Sequence, residues 1–324
     1  MKVLFIGSKS YDYMQDILYS GLVKVLGIRN VIEFSWNKKY HLPYKKYPKN
    51  LGYFKNSLLS SIHLSKNDYD LVVLASTKPD SFSSYIKIAS KIPVTTPVVL
   101  IDGGDRPEIG GDLDRLGTPQ LLEKAQAIRD FDFIFKREMK LNKAYDKNVV
   151  SLTFGFNLSR LPSQLPNNKK YDVAFWAGES HPIRTKALNK LQHQFDCDTN
   201  GTIKGVDLEN FSRTGTFYLE ELAACKINLS LRGGGFDTLR YWEIPAVGSL
   251  LISEPADIII ENNFIDKKHA VFCDPSVEDL LDLCRYYLKN YSKREKIVKN
   301  GNQHLLKYHT DIVRANFLLK KSLF

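Results

Sequence analysis

The chain has 324 residues, 43% hydrophobic and 25% charged, with a formal net charge of +10. This balance is ordinary for a folded globular chain, and the length suits two domains. It excludes a disordered polymer, and no apolar run reaches the ~18–20 residues of a membrane helix. The opening MKVLFIGSKSYDY turns polar too soon for a signal peptide and reads as a first strand. Cys197, Cys225, Cys273 and Cys284 lack metal-ligand spacing and are expected as reduced thiols, so a cytoplasmic protein is expected.

In chain order, KVLFIG (2–7) is a compact apolar run ending in glycine, as a buried parallel strand does. DILYSGLVKVLGI (16–28) has helical spacing, and VIEFSW (31–36) is strand-like. NKKYHLPYKKYPKNLGYFK (37–55) follows, with six lysines, four tyrosines and no acid. DYDLVVLAST (68–77) and TPVVLIDGGD (96–105) predict two more strands, SYIKIASKI (84–92) a helix between them, and FDFIFKRE (131–138) a further strand. Strand–helix alternation of this kind predicts a parallel α/β sheet.

A seam rich in Pro, Asn and Ser follows, after which the pattern restarts. YDVAFWAG (171–178) predicts a strand and IRTKALNKLQHQF (183–195) a helix. LEELAACKINLSL (219–231) predicts a helix running into a strand, and GSLLIS (248–253) another strand. DPSVEDLLDLCRYYLKNY (274–291) predicts one helix, with Ser276 and Asp279 as its capping box. The expected organisation is an N-terminal domain 1–157, a linker 158–170, a second domain 171–300, and a helical tail 301–324 able to pack back on the first. Two α/β units in tandem would enclose a cleft at the carboxyl ends of their strands, where open parallel sheets bind ligands.

INLSLRGGGFDTLRYWEIPAVGSLLIS (227–253) is the densest stretch. Ile227, Leu229 and Leu231 alternate with polar residues as in a strand, and Gly233, Gly234 and Gly235 then strip side-chain bulk from a turn. Asp237 or Thr238 is expected to cap the following helix. Strand, glycine turn and helix N-terminus together form an anion site, to which Arg232 and Arg240 add charge-assisted hydrogen bonds. Glu243 offers a carboxylate to vicinal ribose hydroxyls, and Pro245 ends the helix soon after. No G-K-[ST] follows the glycines, and no G-x-G-x-x-G occurs here.

This segment resembles the donor-binding segment of GT-B glycosyltransferases, above all the CgeB-like (spore-maturation type) group and more faintly the exostosin-like one. The shared features are Arg240 and Glu243 in an R-x-x-E helix and Gly248 five residues on; the likeness spans roughly 171–315. It implies two Rossmann-like domains facing a central cleft. By the same resemblance Glu243 binds the ribose of a UDP- or GDP-type nucleotide-sugar, and the 233–238 loop with Phe236 and Arg240 meets the diphosphate. The E-x7-E pair of related retaining enzymes is incomplete: Gly235 stands where the first carboxylate would be, and Leu250 replaces a frequent proline.

Other candidates surround this segment. IDGGDRPEIGGD (101–112) would project Asp102, Asp105, Glu108 and Asp112 from a strand end, with Asp102 or Asp105 as the base for an acceptor hydroxyl. Arg184 near a helix N-terminus could reach a donor phosphate, and His181 could contact ligand. Ser8 and Lys9 could line the cleft, and Lys136 and Arg137 could meet an acidic acceptor.

The expected function is transfer of sugar from a nucleoside-diphosphate sugar to a hydroxyl acceptor in glycan synthesis. No further cofactor and no metal is expected. The last stretch, Lys289 to Phe324, carries 9 Lys/Arg against 2 Asp/Glu. It therefore points to an anionic or lipid-linked glycan acceptor and to peripheral membrane contact, with nucleic acid the weaker candidate. The alternatives are a nucleotide-sugar epimerase of the same fold and a non-catalytic protein that binds anionic membrane or nucleic acid.

Overall fold

The structure is a computed structural model and describes residues 1–10, 12–34, 36–37, 40–41, 69–166, 168–195 and 215–323. Most of the basic stretch 37–55 lies outside the described residues, as does Cys197. The chain divides into two compact units: Met1–Asn157 with Ile258–Glu261 and Thr310–Phe324, and Leu158–Asp257 with Asn262–His309.

The first unit is built on β1 (Val3–Ile6), α1 (Tyr13–Leu26), β2 (Val31–Phe34), β3 (Leu71–Leu74), α2 (Pro79–Ile88), β4 (Val98–Asp102), α3 (Gly111–Arg115), α4 (Gln120–Ile128), β5 (Phe133–Lys136) and β6 (Val149–Ser151). Its sheet has the order β2-β1-β3-β4-β5-β6, with every pairing parallel. The continuous apolar runs have their cause here, because β1, β3 and β4 are buried along their whole length. Leu4, Val72, Leu100, Phe82 and Tyr85 are among the residues of one buried core cluster. Asp12 opens α1 by accepting the Gln15 N–H, and Gly27, at φ 82°, closes it.

The second unit holds β7 (Tyr171–Ala174), α5 (Pro182–Leu191), α6 (Gly215–Ala223), β8 (Cys225–Ser230), α7 (Leu239–Ala246), β9 (Leu250–Ser253), β10 (Val271–Phe272), α8 (Leu280–Lys289) and α9 (Tyr291–Tyr308). Its sheet runs β10-β9-β8-β7, again all parallel. The core gathers Val173, Phe175, Ile227, Leu229, Ile252 and Cys284. Cys225, Cys273 and Cys284 are buried free thiols.

The last helix, α10 (Asp311–Leu323), belongs to the first unit and packs on α1. Gly21 allows that contact: a Cβ there would lie 2.1 Å from the Asp311 carbonyl oxygen. The Asp311 carboxylate accepts from Ser20 Oγ at 2.7 Å and Lys24 Nζ at 2.6 Å, so the seam is polar as well as tight.

Several boundaries differ from expectation for local reasons. The helix expected over 274–291 begins only at Leu280, because Val277 takes a left-handed φ of 58°. The Ser276–Asp279 capping box does not form. Asp279 Oδ1 accepts the Asp274 N–H, and the Ser276 N–H goes to Asp274. The strand expected from Gly248 starts at Leu250, since Gly248 turns at φ 69°. The short strands β6 and β10 and the first turns of α2 carry too little periodicity to be seen in sequence. No described helix is long and apolar enough to cross a membrane.

Candidate functional site

Because the strands of the second unit are parallel, their carboxyl ends share one edge, and that edge carries the candidate site. The β7 end supplies Trp176–Ser180, the β8 end Leu231–Thr238, and the β9 end Glu254.

Arg184 joins the first two loops. It leaves the first turn of α5, is buried, and donates from Nη1 to the Gly178 carbonyl and Ser180 Oγ, both at 2.8 Å. Its Nε donates to the Arg232 carbonyl at 2.9 Å and its Nη2 to the Leu231 carbonyl at 3.0 Å. A Cβ on Gly233 would lie 2.8 Å from Arg184 Nη2 and 2.8 Å from Ser180 Oγ, so this glycine is what lets the loop close on the guanidinium. Within the turn, the Gly233 N–H donates to the Gly235 carbonyl at 2.9 Å; Gly234 is exposed and Gly235 buried.

Arg232 is the reachable cation of the loop, its side chain 31% exposed against 3% for Glu254. Its guanidinium lies 4.8 Å from the Phe236 ring centroid. Glu254 Oε1 accepts the Arg232 N–H at 2.8 Å, and Oε2 stands 3.3 Å from its Nε. Glu254 thus fixes both ends of one residue. Burial raises the Glu254 carboxyl above its ordinary range, against the pull of Arg232. His181 caps α5 through Nδ1, and burial, then the charges of Arg232 and Arg184, lower its pKa.

The expected cap at 237–238 is made differently. Thr238 occupies the cap position of α7 without a side-chain cap bond, its hydroxyl instead meeting Ser230 Oγ at 2.8 Å. Asp237 is buried and accepts from the indole N–H of Trp242 at 2.7 Å. Trp242, fully buried, packs on His309 with ring centroids 4.5 Å apart. The loop is therefore tied to the helix by an indole, not by a helix cap.

On α7, Arg240 Nη1 donates to the Trp176 carbonyl at 3.1 Å, and its guanidinium also contacts the Tyr218 hydroxyl. Glu243 is buried and ion-paired with Arg160, their side chains 2% and 8% exposed. The Tyr218 hydroxyl donates to its other oxygen at 3.3 Å. Burial pushes the Glu243 carboxyl up to about 8; the adjacent guanidinium pulls the other way. Burial likewise raises Tyr218, against Arg240, Arg160 and Arg184. Arg160, Tyr218, Trp242 and Glu254 escaped sequence reasoning. Arg160 lies in the sequence stretch 158–170 expected as a linker, and Tyr218 is one aromatic among many; only Glu254, directly after a strand, carried a positional signal.

The remaining candidates lie in the first unit. Asp102 ends β4 fully buried, paired with Lys136 Nζ at 3.1 Å and accepting the Gly110 N–H at 2.8 Å. Asp105 is 58% exposed and pairs with Arg137, which also lies 4.4 Å from the Phe154 ring centroid. Lys136 is fully buried, so it serves Asp102 and does not present a charge to an acceptor. Asp112 pairs with Lys78 at 2.6 Å and Glu108 with Lys143 at 3.1 Å. Ser8 Oγ and the Lys9 N–H donate to Asp80 at 2.6 and 2.8 Å. Among the described residues, no group of three His, Cys, Asp or Glu side chains is arranged to hold a metal ion.

Residues 187–320 match the family model described as glycosyl transferase-like. No curated protein matches the chain in sequence. Solved structures resemble it over nearly its whole length. One is an alpha-glucosyltransferase in complex with UDP-glucose and DNA containing an abasic site, at TM-score 0.61 and 9% identity, covering 99% of this chain and 98% of that one. A second is HepE of Anabaena in complex with UDP and glucose, at TM-score 0.62 and 11% identity, with the same coverage of 99% and 98%. A third is the sucrose-phosphate synthase of Thermosynechococcus elongatus, at TM-score 0.59 and 12% identity, again covering 99% and 98%. The fold is that of the GT-B glycosyltransferases, with two Rossmann-like domains.

Proposed function

We propose that this protein transfers a sugar from a nucleoside-diphosphate sugar to a hydroxyl acceptor. The observation that carries the reading is the edge of the second unit, where Arg184, Arg232 and Arg240 surround a glycine turn and a buried Glu243 stands on the next helix. Such a site suits a diphosphate, whose oxygens take charge-assisted bonds from guanidinium and loop N–H groups. The glycosyl transferase-like match and the UDP in two of the similar structures support the same reading.

In the reaction, the acceptor oxygen bonds to the anomeric carbon as the bond from that carbon to the diphosphate oxygen breaks. The diphosphate leaves with the electron pair, and the acceptor proton passes to a base. Arg232 is the residue to neutralise the leaving charge, because it is accessible and held in a low-dielectric loop by Glu254. Arg184 builds the loop from beneath. For Glu243 to accept from the ribose hydroxyls, it exchanges its Arg160 and Tyr218 partners for them. Of the two acids suggested for the base, Asp105 is the exposed one, and Asp102 orders the loop that carries it. The acceptor is taken to be an anionic or lipid-linked glycan in view of the net charge of +10. The CgeB-like affinity of roughly residues 171–315 belongs to this proposal as well.

Incubation of the protein with radiolabelled UDP- and GDP-sugars and candidate glycans tests it. The expected result is acceptor-dependent release of UDP or GDP, lost in Arg232→Gln and slowed in Asp105→Asn with donor binding unchanged. Interconversion of the nucleotide-sugar with no acceptor would replace the reading with an epimerase. No turnover and no nucleotide affinity would remove it.

A further inference from the structure

Helix α9 presents a face that nothing in its own unit covers. Its buried side, Arg294, Ile297, Gly301 and Leu305, faces the interior. At ~100° per residue, Lys293, Lys296, Lys299, Asn300, Gln303 and Lys307 fall within an arc of about 120° on the other side. All four of these lysines are exposed, and no ion pair among the described residues holds them. The helix has a single acid, Glu295, which lies off the arc and pairs with Arg294 at 3.3 Å. Arg294 itself is turned inward, donating to the Tyr287 carbonyl at 3.0 Å, so the outward charge is carried by lysine alone. From Lys293 to Lys307 the row is about 21 Å long at 1.5 Å per residue.

One amphipathic and one apolar side chain flank the row. Tyr286, 43% exposed, accepts from Lys293 Nζ at 2.5 Å, and Leu306 is 45% exposed. Lys289 extends the charge at the end of α8. Point charges in a straight line, with a tyrosine and a leucine at the margins and no acid between, match a sheet of anionic headgroups. A folded nucleic acid would be met better by bidentate arginines and a stacking groove. We propose that this face of α9 docks the protein on an anionic lipid surface. Lysine heads lie in the headgroup layer, while Tyr286 and Leu306 touch its apolar boundary. This inference does not depend on the nucleotide-sugar reading, since none of these residues belongs to the candidate site.

The test is co-sedimentation with vesicles of phosphatidylcholine alone, and of phosphatidylcholine with one part in three phosphatidylglycerol, at near-physiological salt. Wild type is expected on the anionic vesicles and not on the neutral ones. Each basic residue near such a surface strengthens binding roughly fivefold. The triple variant K293Q/K296Q/K299Q should therefore bind about a hundredfold more weakly, with unchanged melting temperature and nucleotide affinity. The matching Lys→Arg triple should bind like wild type. The proposal is overturned if wild type ignores lipid charge, or if the glutamine triple binds as wild type does. It is also overturned if an oligonucleotide of equal phosphate content is bound in preference to the vesicles.

Discussion

Glu243 and Arg160 bury opposite charges against each other, and the cost of separating them sets how each can be tested. Removing one partner of such a pair typically costs about 3–5 kcal/mol, because the other charge is stranded. Glu243→Ala is thus expected to lower stability by that order, measured by urea unfolding, and Arg160→Gln/Glu243→Gln together to cost less than the two singles summed. Burial favours the protonated Glu243 carboxyl, and the guanidinium it faces favours the ionised one. Glu243 was legible in the sequence because R-x-x-E after a glycine turn is a local pattern. Its partner lies 83 positions away in an irregular seam, and no local rule joins the two.

At the scale of elements, the strands β1, β3, β4 and β9 announced themselves as apolar runs, because both faces of each sheet are covered, and β8 announced itself by the alternation of Ile227, Leu229 and Leu231 with polar residues. What holds the site loop was not legible. A tryptophan inside an eight-residue helix reads as core, yet the Trp242 indole N–H also donates to Asp237. Trp242→Phe keeps most of the apolar volume and removes that donor. It should cost about 1–3 kcal/mol and weaken nucleotide binding, read by unfolding and by calorimetry. Behind the same helix, His269 stacks on His304 with centroids 4.1 Å apart, and burial, then the charges of His304 and Lys268, hold its pKa down at about 4. The unfolded chain then binds the extra proton between pH 6.5 and 4. Stability from this group is present above 6.5 and lost as pH falls through that window. His269→Gln should flatten the acid limb of the stability profile. The helix seam is as specific: Gly21→Ala would drive a Cβ to 2.1 Å from the Asp311 carbonyl oxygen. That overpacking is expected to cost about 1–3 kcal/mol.

At the scale of the molecule, each unit is a parallel sheet with helices on its faces, and the chain's last helix is built into the first unit. Alternation of strand and helix made this class legible, while short elements such as β10, two residues long, did not show. The central claim is that the arginine-lined edge of the second unit binds a nucleoside diphosphate. Titration calorimetry of wild type, Arg232→Gln and Glu243→Gln with UDP and GDP addresses it most directly. Binding of at least one of the two nucleotides is expected. Affinity should fall roughly ten- to a hundredfold in each variant, the worth of one charge-assisted hydrogen bond. Wild-type affinity retained in both variants, or no affinity for either nucleotide at millimolar concentration, would contradict it.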